Sequence, residues 1–150
     1  MKYDDNYFMR IALSLAKQAF VEDETPVGAV IVKDNKIIAE AYNKKDSTRL
    51  VTKHAELIAI EQASKRLNDW RLNDCVIYVT MEPCPMCAGA IQQSRINRLV
   101  YGCSSNVSEN TRIINEILQN KMYNHQVIIE NGILDSDCSK LIKSFFKNKR

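Results

Sequence analysis

The chain predicts a three-layer α/β/α domain built on a mixed five-stranded sheet. Three observations carry that expectation. Helical and extended patterns alternate along the 150 residues, the order that buries a sheet between helices. The fully apolar, β-branched run at 75–81 has the character of a central strand. Two further β-rich runs flank a polar Asp34-Asn35 pair, the signature of a hairpin of paired strands.

Taken in order, the segment from about Asp5 to Glu22 sets Phe8, Ile11, Ala12, Leu15, Ala16 and Ala19 at three- and four-residue steps. That spacing is an amphipathic helix. After Pro26, VGAVIVK and KIIAEAY form the two hairpin strands around Asp34-Asn35. His54 to Leu67 is rich in helix formers and predicts a helix with buried first turns. Cys75–Met81 is the central strand. The next helix, CPMCAGAIQQS, opens with prolines at 83 and 85, where a missing N–H costs least. RLVYG is a short strand, TRIINEILQ a helix and QVIIE a last strand. A closing helix places Leu134, Cys138, Leu141, Ile142 and Phe145 on one face. No repeat or linker interrupts the series, so one domain spanning 1–150 is expected.

Composition narrows the function classes. Hydrophobic residues make up 45% and charged residues 26%, ordinary for a soluble globular protein, and no apolar run is long enough to span a membrane. The first ten residues carry acids where a signal peptide would be apolar, so a cytoplasmic protein is expected. The net charge of +3 is mild, yet the last ten residues hold four basic groups and no acid. Five cysteines, an odd count, argue against a disulfide framework. Clustered thiols in such a chain point to metal binding or catalysis, and isolated ones to small core hydrophobes.

One constellation carries chemistry. His54-Ala55-Glu56 is followed by Pro83-Cys84-Pro85-Met86-Cys87. Two thiols at i and i+3 near a helix start can face one ion, and the helix N-terminus favours their thiolate form. With the imidazole of His54 they make three ligands, a set that suits Zn²⁺ with its fourth position left to water. His125, Cys75, Cys103 and Cys138 lie outside any paired spacing, which favours an open site over a closed structural one. An open zinc lowers the pKa of its water to roughly 7. Glu56, two residues past a ligand, can then move protons without ligating. HxE with PCxxC is the pattern of zinc nucleobase deaminases.

On these motifs the chain resembles the cytidine deaminase-like superfamily, and within it the bacterial tRNA-specific adenosine deaminases. The resemblance extends through Pro26–Val30, Asn43, Trp70-Arg71-Leu72, Tyr78–Ala90, Ser94-Arg95-Ile96, Asn124-His125 and Phe145-Phe146-Lys147. It implies a homodimer, with one Zn²⁺ per subunit, that converts adenosine to inosine at the wobble position of a tRNA anticodon stem-loop. It further implies that Asn43 hydrogen-bonds a flipped-out nucleoside, and that Val27, Gly28 and Ala29 line the pocket with Glu82 and Pro83. Phe145, Phe146, Lys147 and Arg150 would lie against the RNA.

Two loops depart from the family pattern. Ser105 stands where an Asp is usual, in a loop without the usual glycines, and Val51-Thr52-Lys53 replaces Pro-Thr-Ala before the zinc histidine. Two other readings therefore stay open. One is a deaminase of a free base or nucleoside such as guanine, cytosine or cytidine. The other is a noncatalytic zinc-stabilised RNA-binding module, in which Glu56 would have no task.

Overall fold

The Asp34-Asn35 turn folds as its residue types demand. Both residues adopt the left-handed conformation, with φ of 52° and 62°, which matches the twist of the strands they join. The computed structural model describes residues 2–149. In it, β1 (Gly28–Lys33) and β2 (Lys36–Tyr42) form that hairpin. Helix α1 (Asp5–Val21) precedes them, capped by the Asp4 carboxylate accepting from the Tyr7 backbone N–H at 2.9 Å.

The remaining elements are α2 (Lys45–Thr48), α3 (Ala55–Leu67), β3 (Cys75–Met81), α4 (Pro85–Gln93), β4 (Arg98–Cys103), α5 (Asn110–Leu118), β5 (Ile128–Asn131) and α6 (Asp135–Lys147). The sheet order is β2-β1-β3-β4-β5. Pairing is antiparallel on the β2-β1-β3 side and parallel from β3 through β5. This is the mixed five-stranded sheet that the sequence predicts. The short helix α2 has no counterpart among the predicted elements, and β5 begins two residues later than QVIIE suggests.

Strand alternation sorts the core into two layers. Val30, Val32, Tyr78 and Val100 face Phe8, Met9 and Ala12 of α1. Ala29, Ile31, Ile77, Val79 and Leu99 pack with Ala55, Ala59 and Ala63 of α3 and Ile114 and Leu118 of α5. Gly28 explains how closely α1 approaches. A Cβ there would stand 2.0 Å from the Ala12 carbonyl oxygen and 2.7 Å from the Ala16 nitrogen. At the far edge, Arg98 donates to Asp5 through Nη1 at 3.0 Å and to Glu130, tying α1 to β4 and β5. No helix among the described residues is long and apolar enough to cross a membrane.

Candidate active site

Two helices begin at the same place. His54 is the N-cap residue of α3, in extended conformation, and Cys84 is the N-cap residue of α4, with Pro85 at the first helical position. The carboxyl ends of β3 and β4, which run parallel, open between them, the usual position for a ligand crevice in an α/β sheet. His54 Nδ1 lies 3.7 Å from Cys84 Sγ and 3.5 Å from Cys87 Sγ. A tetrahedral site with Zn–S near 2.3 Å and Zn–N near 2.0–2.1 Å sets nitrogen and sulfur about 3.6 Å apart. The spacing of these side chains is therefore that of ligands around one small cation. They are the one group of three or more potential ligand residues that clusters in this way among the described residues.

Electrostatics agree with that donor set. The Cys84 thiol is pulled down to about 4, first by its hydrogen bond with Cys87 and then by His54. The Cys87 thiol is pushed up, because it donates to Cys84 and is desolvated. Hydrogen bonding to Cys84 raises His54. These shifts favour negative charge on Cys84 over Cys87, and a cation between the two sulfurs would favour the thiolate form of both. Glu56 is 4% exposed, and desolvation pushes its carboxyl up to about 7. A carboxyl poised there can accept and return protons near neutral pH.

The cavity beside these groups measures about 330 Å³, at the low end of the range for small-molecule sites. Asn43, His54, Glu56 and Cys84 line it together with Val27 and Glu82. Asn43 is 5% exposed and its backbone N–H donates to the Val27 carbonyl at 3.1 Å. The Glu82 carboxylate is already occupied. It accepts from Tyr101 at 3.0 Å, Asn110 at 2.7 Å and Thr111 at 2.6 Å. Those bonds fix the start of α5, so that Ser105, Val107 and Asn110 form the opposite wall. Lys45 and Thr25 also reach the cavity. No motif singled out either of them, because nothing local in the sequence announces a rim contact.

Several expected site residues stand elsewhere. Gly28 and Ala29 do not border the cavity. Gly28 makes room for α1, and Ala29 is a fully buried sheet residue paired with Ala41 and Val79. Pro83 is set back from the cavity, its carbonyl accepting from Asn110 at 3.1 Å. Phe145 is 7% exposed and packs edge-on against Phe20 and Phe146, so it belongs to the core rather than to an RNA-facing surface. Phe146 is 42% exposed and Lys147 is exposed at the end of α6. Arg150 lies outside the described residues. Cys75, Cys103 and Cys138 are buried free thiols, with desolvation raising Cys103 to about 11 and Cys138 to about 12. His125 Nε2 lies 2.7 Å from the Ile96 carbonyl.

Fold and site together define a deaminase-type α/β/α domain whose His54, Cys84 and Cys87 fit a metal ion. The chain belongs to the MafB19-like deaminase family, whose model matches residues 3–150. The tRNA-specific adenosine deaminase of Bacillus subtilis (strain 168) is 37% identical over 146 residues, which span 97% of this chain and 91% of that protein. A solved structure from studies of A-to-I editing by tRNA:A34 deaminases at the wobble position is 35% identical. It superposes with a TM-score of 0.82 over 90% of this chain and 98% of its own. The structure of guanine deaminase from Bacillus subtilis is 40% identical with a TM-score of 0.66, covering 68% of this chain and 66% of that one.

Proposed function

We propose that the chain is a single zinc-dependent hydrolytic deaminase domain that converts adenosine to inosine at the wobble position of tRNA anticodons. On this reading it acts as a cytoplasmic homodimer with one zinc per subunit. The observation that carries the chemistry is the meeting of His54, Cys84, the buried Glu56 and Asn43 around one cavity, with Cys87 buried directly behind His54 and Cys84. The relatives that match this chain along nearly its whole length supply the substrate class.

Zinc held by the three ligands would supply water acidified to a pKa near 7, about nine units below bulk water. Glu56 takes a proton from the water that attacks the amino-bearing ring carbon and delivers it to the adjacent ring nitrogen. It then passes the second proton of that water to the leaving amine, so adenosine and water become inosine and ammonia. Asn43 hydrogen-bonds the flipped-out nucleoside, Val27 gives its face an apolar wall, and closure by Ser105 and Val107 limits water. Phe146, Lys147 and Arg150 contact RNA outside the cavity. Lys149 pairs with Asp23, two residues from the cavity-lining Thr25, which supports placing this basic tail beside the rim.

A second reading, deamination of free guanine, is favoured by the identity to the Bacillus subtilis guanine deaminase. The fuller superposition on the tRNA:A34 deaminase structure favours the RNA substrate. Zinc-loaded protein incubated with an anticodon stem-loop bearing a wobble adenosine should yield inosine. Faster turnover of guanine or free adenosine than of the stem-loop would reject the tRNA reading in favour of a free-base enzyme. Sedimentation should give about twice the 17.2 kDa chain mass.

A further inference from the structure

Glu24 is the most buried carboxylate among the described residues, at 1% exposure, and the chemistry above does not use it. Both of its oxygens are committed. Oε1 accepts the Asp46 backbone N–H at 3.0 Å and Oε2 accepts the Ser47 N–H at 2.6 Å. Those two amides belong to the first turn of α2, whose own N-cap residue, Lys44, offers no side-chain bond. Four residues cannot sustain a helix alone, since nucleation costs more than one or two bonds return. The cap that α2 lacks in its own sequence is thus supplied by a carboxylate from 22 positions upstream.

The segment held in this way is the cavity rim. Asn43 and Lys45 both line the cavity, and Thr25, next to Glu24, lines it too. The loop beyond α2 closes on itself through the Lys44 N–H donating to the Lys53 carbonyl at 2.9 Å, immediately before His54. Glu24 is itself anchored from behind, its N–H donating to the Ala19 carbonyl at 2.9 Å at the end of α1. A continuous chain of contacts therefore runs from α1 through Glu24 to the side chains that would face a nucleoside, and it bypasses Glu56 and the metal ligands.

We propose that Glu24 is a positioning residue: by capping α2 from within the core it holds Asn43 and Lys45 in the geometry that binds the substrate nucleotide. The kinetic part of this inference rests on the tRNA deaminase reading. Its structural part does not.

The test has two arms. In the first, amide hydrogen exchange on the unaltered zinc-loaded protein should find Asp46 and Ser47 protected well beyond exposed loop amides, by about 100-fold or more. Free exchange at both would overturn the proposal whatever the substrate is. In the second, Glu24→Gln keeps the shape but replaces one acceptor by a donor that faces an N–H. KM for the stem-loop should rise about tenfold, with kcat within about threefold of the parent and zinc content unchanged. In an Asn43→Ala background the same change should add less than about threefold, since both act on one contact. Equal loss of kcat with unchanged KM, or full additivity with Asn43→Ala, would overturn the proposal. If the unaltered protein leaves the stem-loop untouched, the substrate reading fails, and the exchange result alone decides the role of Glu24. Should Glu24→Gln not fold, exchange in the unaltered protein still decides it.

Discussion

Gly28→Ala is the perturbation whose size the structure defines best. The added Cβ would sit 2.0 Å from the Ala12 oxygen, 2.7 Å from the Ala16 nitrogen and 2.9 Å from Leu15 Cβ. A carbon normally approaches such an oxygen no nearer than about 3.3 Å, so the overlap exceeds an ångström. Two of these atoms are helix backbone and cannot swing aside. Strand β1 cannot retreat either, because β2 and β3 pair with it on both sides. Relief requires α1 to lift from Val30 and Val32, loosening the contacts of Phe8, Met9 and Ala12. Overpacking costs about 1–3 kcal/mol and more where nothing yields, so a loss of about 3 kcal/mol or more is expected. In a domain of this size that is a fall in Tm of about 6–12 °C.

The control is Gly89→Ala in α4, where an added Cβ meets nothing within 4 Å. It should gain up to about 1 kcal/mol of helix propensity, raising Tm by about 2–4 °C. Both are read by thermal melts of the zinc-loaded proteins followed by circular dichroism. A Gly28→Ala protein within about 2 °C of its parent would refute the packing argument.

Glu56→Gln should lower deamination by about 10²–10⁴-fold while zinc content and melting stay near those of the parent. Zinc loss in that variant would show that Glu56 ligates. Cys87→Ala or His54→Ala should abolish stoichiometric zinc, measured by plasma emission on the purified proteins. Arg98 and, to a lesser extent, Tyr78 hold the Asp5 carboxyl below its usual value of 3.8. A lowered folded-state pKa gives stability that is present above the unfolded value and lost as pH falls through the folded one. The Tm deficit of Asp5→Asn should therefore be steady at neutral pH and shrink as pH falls below the usual carboxyl value of 3.8. Lys45→Ala should weaken stem-loop binding and reduce the slope of log K against log salt by about 0.7, as expected for one single-strand phosphate contact. An unchanged slope would remove Lys45 from the RNA interface.

Most of the architecture is legible in the sequence because it is written in local patterns. The spacing of Phe8, Ala12 and Leu15, the Asp34-Asn35 turn and the apolar run at 75–81 each specify their element without outside help. The candidate ligand cluster is legible for a similar reason, since HxE and CxxC sit on two helix starts that the fold brings together. What escapes is support from afar. Helix α2 is short and uncapped by its neighbours, and its partner Glu24 has no local mark of its role. Gly28 sits beside Val27, yet strand alternation turns it toward α1 while Val27 reaches the cavity.

The two phenylalanines of α6 make the same point about direction. Successive helix residues are about 100° apart, so Phe145 and Phe146 cannot share a face. The spacing of Cys138, Ile142 and Phe145 already assigns Phe145 inward, and a common RNA contact for both conflicts with it.

Zinc K-edge X-ray absorption on the purified protein bears most directly on the central claim, an open three-ligand site. The account predicts two sulfurs near 2.3 Å and two nitrogen or oxygen neighbours near 2.0–2.1 Å, one of them exchangeable for solvent ligands. A third sulfur, a second histidine in the shell, or no zinc at all would contradict it.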